Sequence, residues 1–236
     1  MKEFKDYYLL NCKQGSPDWH YLRKGRITAS NLGTIMSIMG VCERAPYCTE
    51  TAEEKAQILV GNKKEEHTKE AKERMQLGND YEDVVRQHLS EYLKCEIKET
   101  GFAIFKKYPY LGCSPDGLIE RPGKPTIGVE IKSPRRMYKP LLKYMDKKEE
   151  DRNKNDYSHI WKSHYLQMQM NMNIMGMEEM IYAVYGIDDK EIFIQSVKVD
   201  KEYWNDVIIP TVTEYYEKYM KPLVSEENKK RIEMNK

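Results

Sequence analysis

No stretch of this sequence stays apolar for the about 20 residues that a bilayer-spanning helix needs, so no membrane span is expected. No Gly/Ser-rich linker interrupts the 236 residues either, and the expectation is one domain over residues 1–222 followed by a polar tail over 223–236. Cysteine is sparse: Cys12, Cys42, Cys48, Cys95 and Cys113 are five in all, none spaced as CxxC and none in the second half. That distribution excludes a C-terminal iron–sulfur ligand set. Also missing is an export signal, because Met1 to Tyr8 is charged; the thiols are therefore expected to be reduced and the protein intracellular, not secreted. Finally, there is no excess of charge of either sign. A net charge of +1 neither points to nucleic acid nor excludes it, and local clustering has to decide. What is present is a water-compatible chain, 33% charged, with a mean hydropathy of −0.80.

The densest signal runs from Tyr110 to Lys132, YLGCSPDGLIERPGKPTIGVEIK. Leu118-Ile119 and Ile127 to Ile131 read as strands, and Arg121-Pro122-Gly123-Lys124 as the turn of an antiparallel hairpin between them. Side chains alternate along a strand. Glu130 and Lys132 therefore share one face, expected to be a solvent-facing edge, while Val129 and Ile131 face the opposite layer. Pro115 holds Ser114 extended and Gly117 permits a bend or bulge, which would aim Asp116 across at Glu130. Two close carboxylates repel unless a cation lies between them, and oxygen-only ligands suit Mg²⁺, with Mn²⁺ as a substitute. Such an ion lowers the pKa of bound water and neutralises charge developing on a phosphate, and Lys132 would orient that water. The bland alternative is a surface hairpin carrying ordinary charges.

Upstream, Ser16-Pro17-Asp18-Trp19 is a helix start, with Ser16 as N-cap, Pro17 at the first helical position and Asp18 on the helix dipole. Gly25 ends that helix, and a second is expected to begin with Thr28 capping. Helix N-termini bind phosphate, so Arg23 and Ser30 could converge on one. Thr51 and Glu54 suggest a capping box, Lys63 to Arg74 a solvated helix, and a further helix is expected to open near Gly78-Asn79. That helix carries an apolar stripe of Tyr81, Val84, Val85, Leu89 and Tyr92, with Glu82 beside it. Tyr157 to Met175 reads as a long helix ended by Gly176, its methionines packing the core. Met180 to Tyr185 and Glu191 to Val199 read as strands, and Asp200 as the cap of a last helix, kinked near Pro210 and followed by a frayed tail.

SPDG and VEIK resemble the two halves of the PD-(D/E)XK nuclease signature, and WHYLRKGRITAS, Trp19 to Ser30, resembles the W-x3-R-x-G-x-ITAS motif of the lambda-type exonuclease and YqaJ-like viral recombinase family. The resemblance covers about residues 16–199, the motifs occur in the family's order, and residues 1–222 would form a single nuclease domain. It implies an α/β fold with a mixed central sheet flanked by helices and an N-terminal helical portion. Asp116, Glu130, the Ile131 carbonyl and Glu82 would hold the metal. Lys132 would polarise the water, and Gln167 would approach the scissile phosphate. Arg23, Ser30 and Ser114 would bind the phosphate at the cut end in a pocket shaped by Trp19, with Arg135 and Arg136 contacting the backbone. His164 falls where the family often has tyrosine and is expected to pack or touch DNA. The implied activity is 5′-to-3′ exonuclease digestion of double-stranded DNA ends, in the cytoplasm or host nucleus, with a single-strand annealing protein and a homotrimer as possible partners. An endonuclease of restriction or repair type, or a DNA-binding module with a silent site, are the alternatives.

Overall fold

Two short strands that hydropathy does not announce, β1 (Lys2–Glu3) and β2 (Tyr7–Leu10), begin the computed structural model, which describes residues 1–43 and 49–233; Cys48 lies outside the described residues. Helix α1 (Pro17–Arg23) starts as expected, the Ser16 hydroxyl accepting from the Trp19 N–H. Gly25 then takes φ +81°, which lets the chain turn into β3 (Ile27–Thr28). Thr28 stands at the N-cap of α2 (Ala29–Ile38) but makes no capping hydrogen bond; its hydroxyl accepts from the Asn31 side chain at 2.9 Å instead. The Thr51/Glu54 capping box opens α3 (Ala52–Val60).

Helix α4 (Lys69–Leu93) corrects one boundary: it runs unbroken through Gly78, where a new helix was expected to open. Thr68 caps it ten residues earlier, and a mid-helix glycine costs only about 1 kcal/mol relative to alanine. Its buried stripe is also narrower than expected. Val85 and Leu89 are buried, whereas Val84 is 46% and Tyr92 73% exposed.

Strands β4 (Phe102–Phe105) and β5 (Leu111–Cys113) complete a five-stranded sheet in the order β1-β2-β4-β5-β3, in which only β3 and β5 are parallel. Next come β6 (Gly117–Ile119), β7 (Ile127–Lys132), α5 (Lys139–Met145), α6 (Lys162–Met175), β8 (Glu179–Gly186) and β9 (Glu191–Lys198). These strands form a second mixed sheet, β6-β7-β8-β9, with β7 and β8 parallel. The fold is thus mixed α/β, with its strands divided between two sheets. Helix α6 begins at Lys162, later than Tyr157, because the Asp156 carboxylate accepts from the Ser158 N–H and holds a turn there. Its methionines pack the main core with Leu32, Ile35 and Met36 of α2. Asp200 caps α7 (Lys201–Tyr203), which passes through a π-helical stretch, Trp204–Ile208, into α8 (Ile209–Tyr215). Among the described residues of the tail the expected fraying is not seen. Residues Glu226–Glu233 form α9, whose Asn228 amide donates to the Val60 carbonyl. Among the described residues no helix is long and apolar enough to cross a membrane.

Strand β7 is flanked on both faces. Ile127, Val129 and Ile131 pack with Val85 and Leu89 of α4, and the alternate residues Glu130 and Lys132 point to α6.

Candidate active site

The alternation expected for β7 therefore holds, but its environment differs from the expectation. Glu130 is 0% exposed, since β7 is an inner strand with Tyr182 of β8 in register beside it and α6 above. It is not a solvent-facing edge. Lys132 Nζ donates to Glu130 Oε1 at 2.6 Å and to Gln167 Oε1 at 3.4 Å, and Asn171 Nδ2 donates to Glu130 Oε2 at 3.2 Å. Asp116, just before β6, accepts the Ile131 N–H at 2.7 Å. The short β6/β7 register, Gly117 opposite Val129, is what brings Asp116 alongside the end of β7. Glu82 on α4 meets Arg86 one turn on, at 2.7 Å; the same guanidinium donates to the Asp116 carbonyl at 3.0 Å and to Asp83 at 2.7 Å.

Burial, reinforced by the Asp116 charge, pushes the Glu130 carboxyl up to about 8 and Glu82 up to about 7. Asp116 is likewise raised by burial. Burial pulls Lys132 down, but the Glu130 and Asp116 charges outweigh it and hold the ammonium above its usual range. An oxygen-only donor set whose carboxyls are all raised by burial fits a hard divalent cation by its chemistry. In this arrangement Glu130 is tied to Lys132, Asp116 to the Ile131 N–H and Glu82 to Arg86. As placed, these carboxylates do not converge into a ready-made metal group among the described residues, and to hold a cation they would exchange these partners for it.

The N-terminal residues assemble a second cluster. Arg23 lies over the Trp19 ring, 4.0 Å from its centroid, and donates to the Ser30 hydroxyl at 2.9 Å. The Trp19 indole N–H donates to the Ser114 hydroxyl at 3.3 Å, and that hydroxyl donates to the Gly101 carbonyl at 2.8 Å. Burial lowers the Arg23 pKa to about 10, so the guanidinium stays charged at neutral pH; the Glu65 charge favours that charged form. Glu65 also meets the buried Lys55 at 2.5 Å. Ser114 thus joins this cluster to the segment bearing Asp116.

Arg135 and Arg136 follow β7 on the surface, where Arg136 approaches Asp188 at 3.7 Å. Gln169 does not face the site. It accepts from the Asp200 N–H and donates to the Lys198 carbonyl, holding the end of β9. His164 is half-buried and kept neutral, first by desolvation and then by Lys132, and pairs through Nδ1 with the Tyr182 hydroxyl at 2.6 Å. Sequence reasoning passed over Arg86 and Asn171. Both follow by helical spacing, since each stands four residues after a residue already singled out, Glu82 and Gln167.

Residues 18–178 match the YqaJ-like viral recombinase domain. Among solved structures, an alkaline exonuclease from Laribacter hongkongensis is similar at TM-score 0.64 and 18% identity, covering 93% of this chain and 100% of that one. Its complex with dAMP gives 0.62 and 21% over 93% and 99% of the two chains. A phage-related exonuclease from Haemophilus somnus 129PT gives 0.54 and 13% over 86% and 96%. No curated protein matches. At these identities the solved neighbours establish the architecture, which is that of phage-type exonucleases. The domain match spans most of the chain, from α1 through the β6/β7 hairpin to the end of α6, and on it the chain belongs to the YqaJ-like viral recombinase family.

Proposed function

We propose that this protein is a divalent-metal-dependent deoxyribonuclease, a 5′-to-3′ exonuclease that acts on double-stranded DNA ends and leaves 3′ single strands. The observation that carries the reading is the link through Ser114. It joins a cationic pocket suited to phosphate, Arg23 with Ser30, to the Asp116, Glu130 and Lys132 cluster suited to hydrolysis. Mg²⁺ or Mn²⁺, held by Asp116, Glu130, the Ile131 carbonyl and Glu82, would lower the pKa of a water and offset charge on the phosphate. The chain's own groups do the rest. Lys132, placed by Glu130 and Gln167, donates a hydrogen bond that orients the attacking water and steadies charge building on the phosphoryl oxygens. Gln167 keeps its amide N–H groups for a phosphate oxygen. Arg23 and Ser30 take a terminal 5′ phosphate, whose extra negative charge sets it apart from an internal diester. Arg135 and Arg136 contact the backbone and position the duplex without reading its sequence.

Family resemblance, and no surface described above, extends the reading to a trimer and an annealing partner; light scattering with and without DNA tests the first. The main test compares an end-labelled linear duplex with a covalently closed circle in Mg²⁺. Release of label from the 5′ end with the circle intact is the expected result. Cutting of the circle would favour an endonuclease, and retention of both substrates would leave a DNA-binding module.

A further inference from the structure

Beside Lys132 a cleft of about 580 Å³ opens between α4 and the start of α6, within the usual size range of ligand pockets. Trp161, at its rim, is 45% exposed. An exposed indole needs a reason to be held in place, and this one is held. Its ring stacks on Tyr138 at 4.5 Å with 28° between planes, and the Tyr138 hydroxyl meets the Tyr182 hydroxyl at 2.8 Å. Tyr182 is buried and bonded to His164, so a chain of hydrogen bonds fixes the aromatic pair against the strand next to Glu130. Charge complementarity identifies the occupant. Arg74, Lys132 and Arg135 line the cleft, and none of its described lining residues is a carboxylate.

We propose that Trp161, backed by Tyr138, is a stacking platform for one nucleobase of the DNA strand whose phosphate lies at Lys132, with Arg74 and Arg135 on the flanking phosphates; this rests on the nuclease reading. An apolar aromatic face ringed by cations is the arrangement that binds an unpaired base, because every base offers a π-face and every linkage an anion. A platform beside the scissile phosphate fixes which linkage meets Lys132. It also holds the end nucleotide away from its complement.

The test uses 5′-phosphorylated duplexes in Mg²⁺, intact or with one abasic nucleotide stepped along the degraded strand, and reads kcat and KM separately. The native protein should slow roughly fivefold to hundredfold at one position of the abasic nucleotide. Trp161→Ala should show a loss of that size on the intact duplex and no further loss on the abasic one, while Trp161→Phe should keep most of the native rate and its sensitivity. Unchanged native rates at every abasic position would overturn the platform while leaving the nuclease reading standing, as would a Trp161→Ala protein as sensitive to the abasic nucleotide as the native one. A native protein that degrades no duplex at all removes the nuclease reading and this proposal together.

Discussion

Replacing Glu130 by glutamine should stabilise the metal-free protein near neutral pH while abolishing cleavage. Burial and the Asp116 charge raise this carboxyl from its ordinary 4.5 to about 8, so between those values the native state holds a proton that the unfolded chain has released. Stability contributed by the group is full below the lower value and is lost as pH rises through the upper one. At about 1.4 kcal/mol per tenfold change in proton affinity, the loss from about pH 5 to about pH 8 is on the order of 4 kcal/mol. For a chain of this size that lowers the melting temperature by roughly 10 °C. Lys132 adds no slope in this window, because its ammonium is held protonated far above it. Glutamine keeps an acceptor for Lys132 and never ionises. The variant's profile should therefore lose this downward slope, leaving those of Glu82 and Asp116 set against the opposite slope of His164 and His159, which desolvation keeps neutral. Thermal unfolding in chelator at about pH 5, 6.5 and 8 measures this, and added Mg²⁺ should restore native stability at the high end because the cation binds the ionised form. A Glu130→Gln profile in chelator that falls with pH at least as steeply as the native one would refute the electrostatic account of the site.

Arg23→Ala should slow digestion of 5′-phosphorylated ends roughly thirtyfold to hundredfold, the loss of one charge-assisted contact, and barely affect ends with a 5′ hydroxyl. Equal slowing of both would show that Arg23 holds no terminal phosphate. Mg²⁺ and Mn²⁺ should support turnover and Ca²⁺ binding without turnover, as gel-shift and cleavage assays run side by side would show; full activity in excess chelator would dispose of the metal mechanism. Arg86→Ala should lower stability by about 1–3 kcal/mol in urea, since one guanidinium ties α4 to the Asp116 carbonyl and to two carboxylates. An unchanged midpoint would mean that it contributes no more than a surface ion pair.

Local patterns were enough for much of this protein. The caps at Ser16, Thr51 and Asp200 are set by side chains that bond their own helix's first turn, and the strands β7, β8 and β9 by alternation and β-branched content. The shared face of Glu130 and Lys132 follows from a two-residue repeat, and the motif at Trp19 to Ser30 was legible as a resemblance. Burial was not. Glu130 looks like an edge residue until α6 and β8 are in place, because nothing within the hairpin states what will pair with β7 or cover it. The same holds for the boundary at Gly78, where the weak breaking tendency of one glycine yields to a helix capped earlier at Thr68. Nor does sequence distance foretell that Trp19 reaches Ser114 or that Asn171 reaches Glu130. By itself the sequence determined which residue types were available for the chemistry and which face of their own element they occupy, since those depend on backbone repeats a few residues long. Which carboxylates share a buried space, and so how strongly each resists ionising, was decided only by the tertiary structure, because desolvation and charge repulsion depend on distances between segments that are remote along the chain.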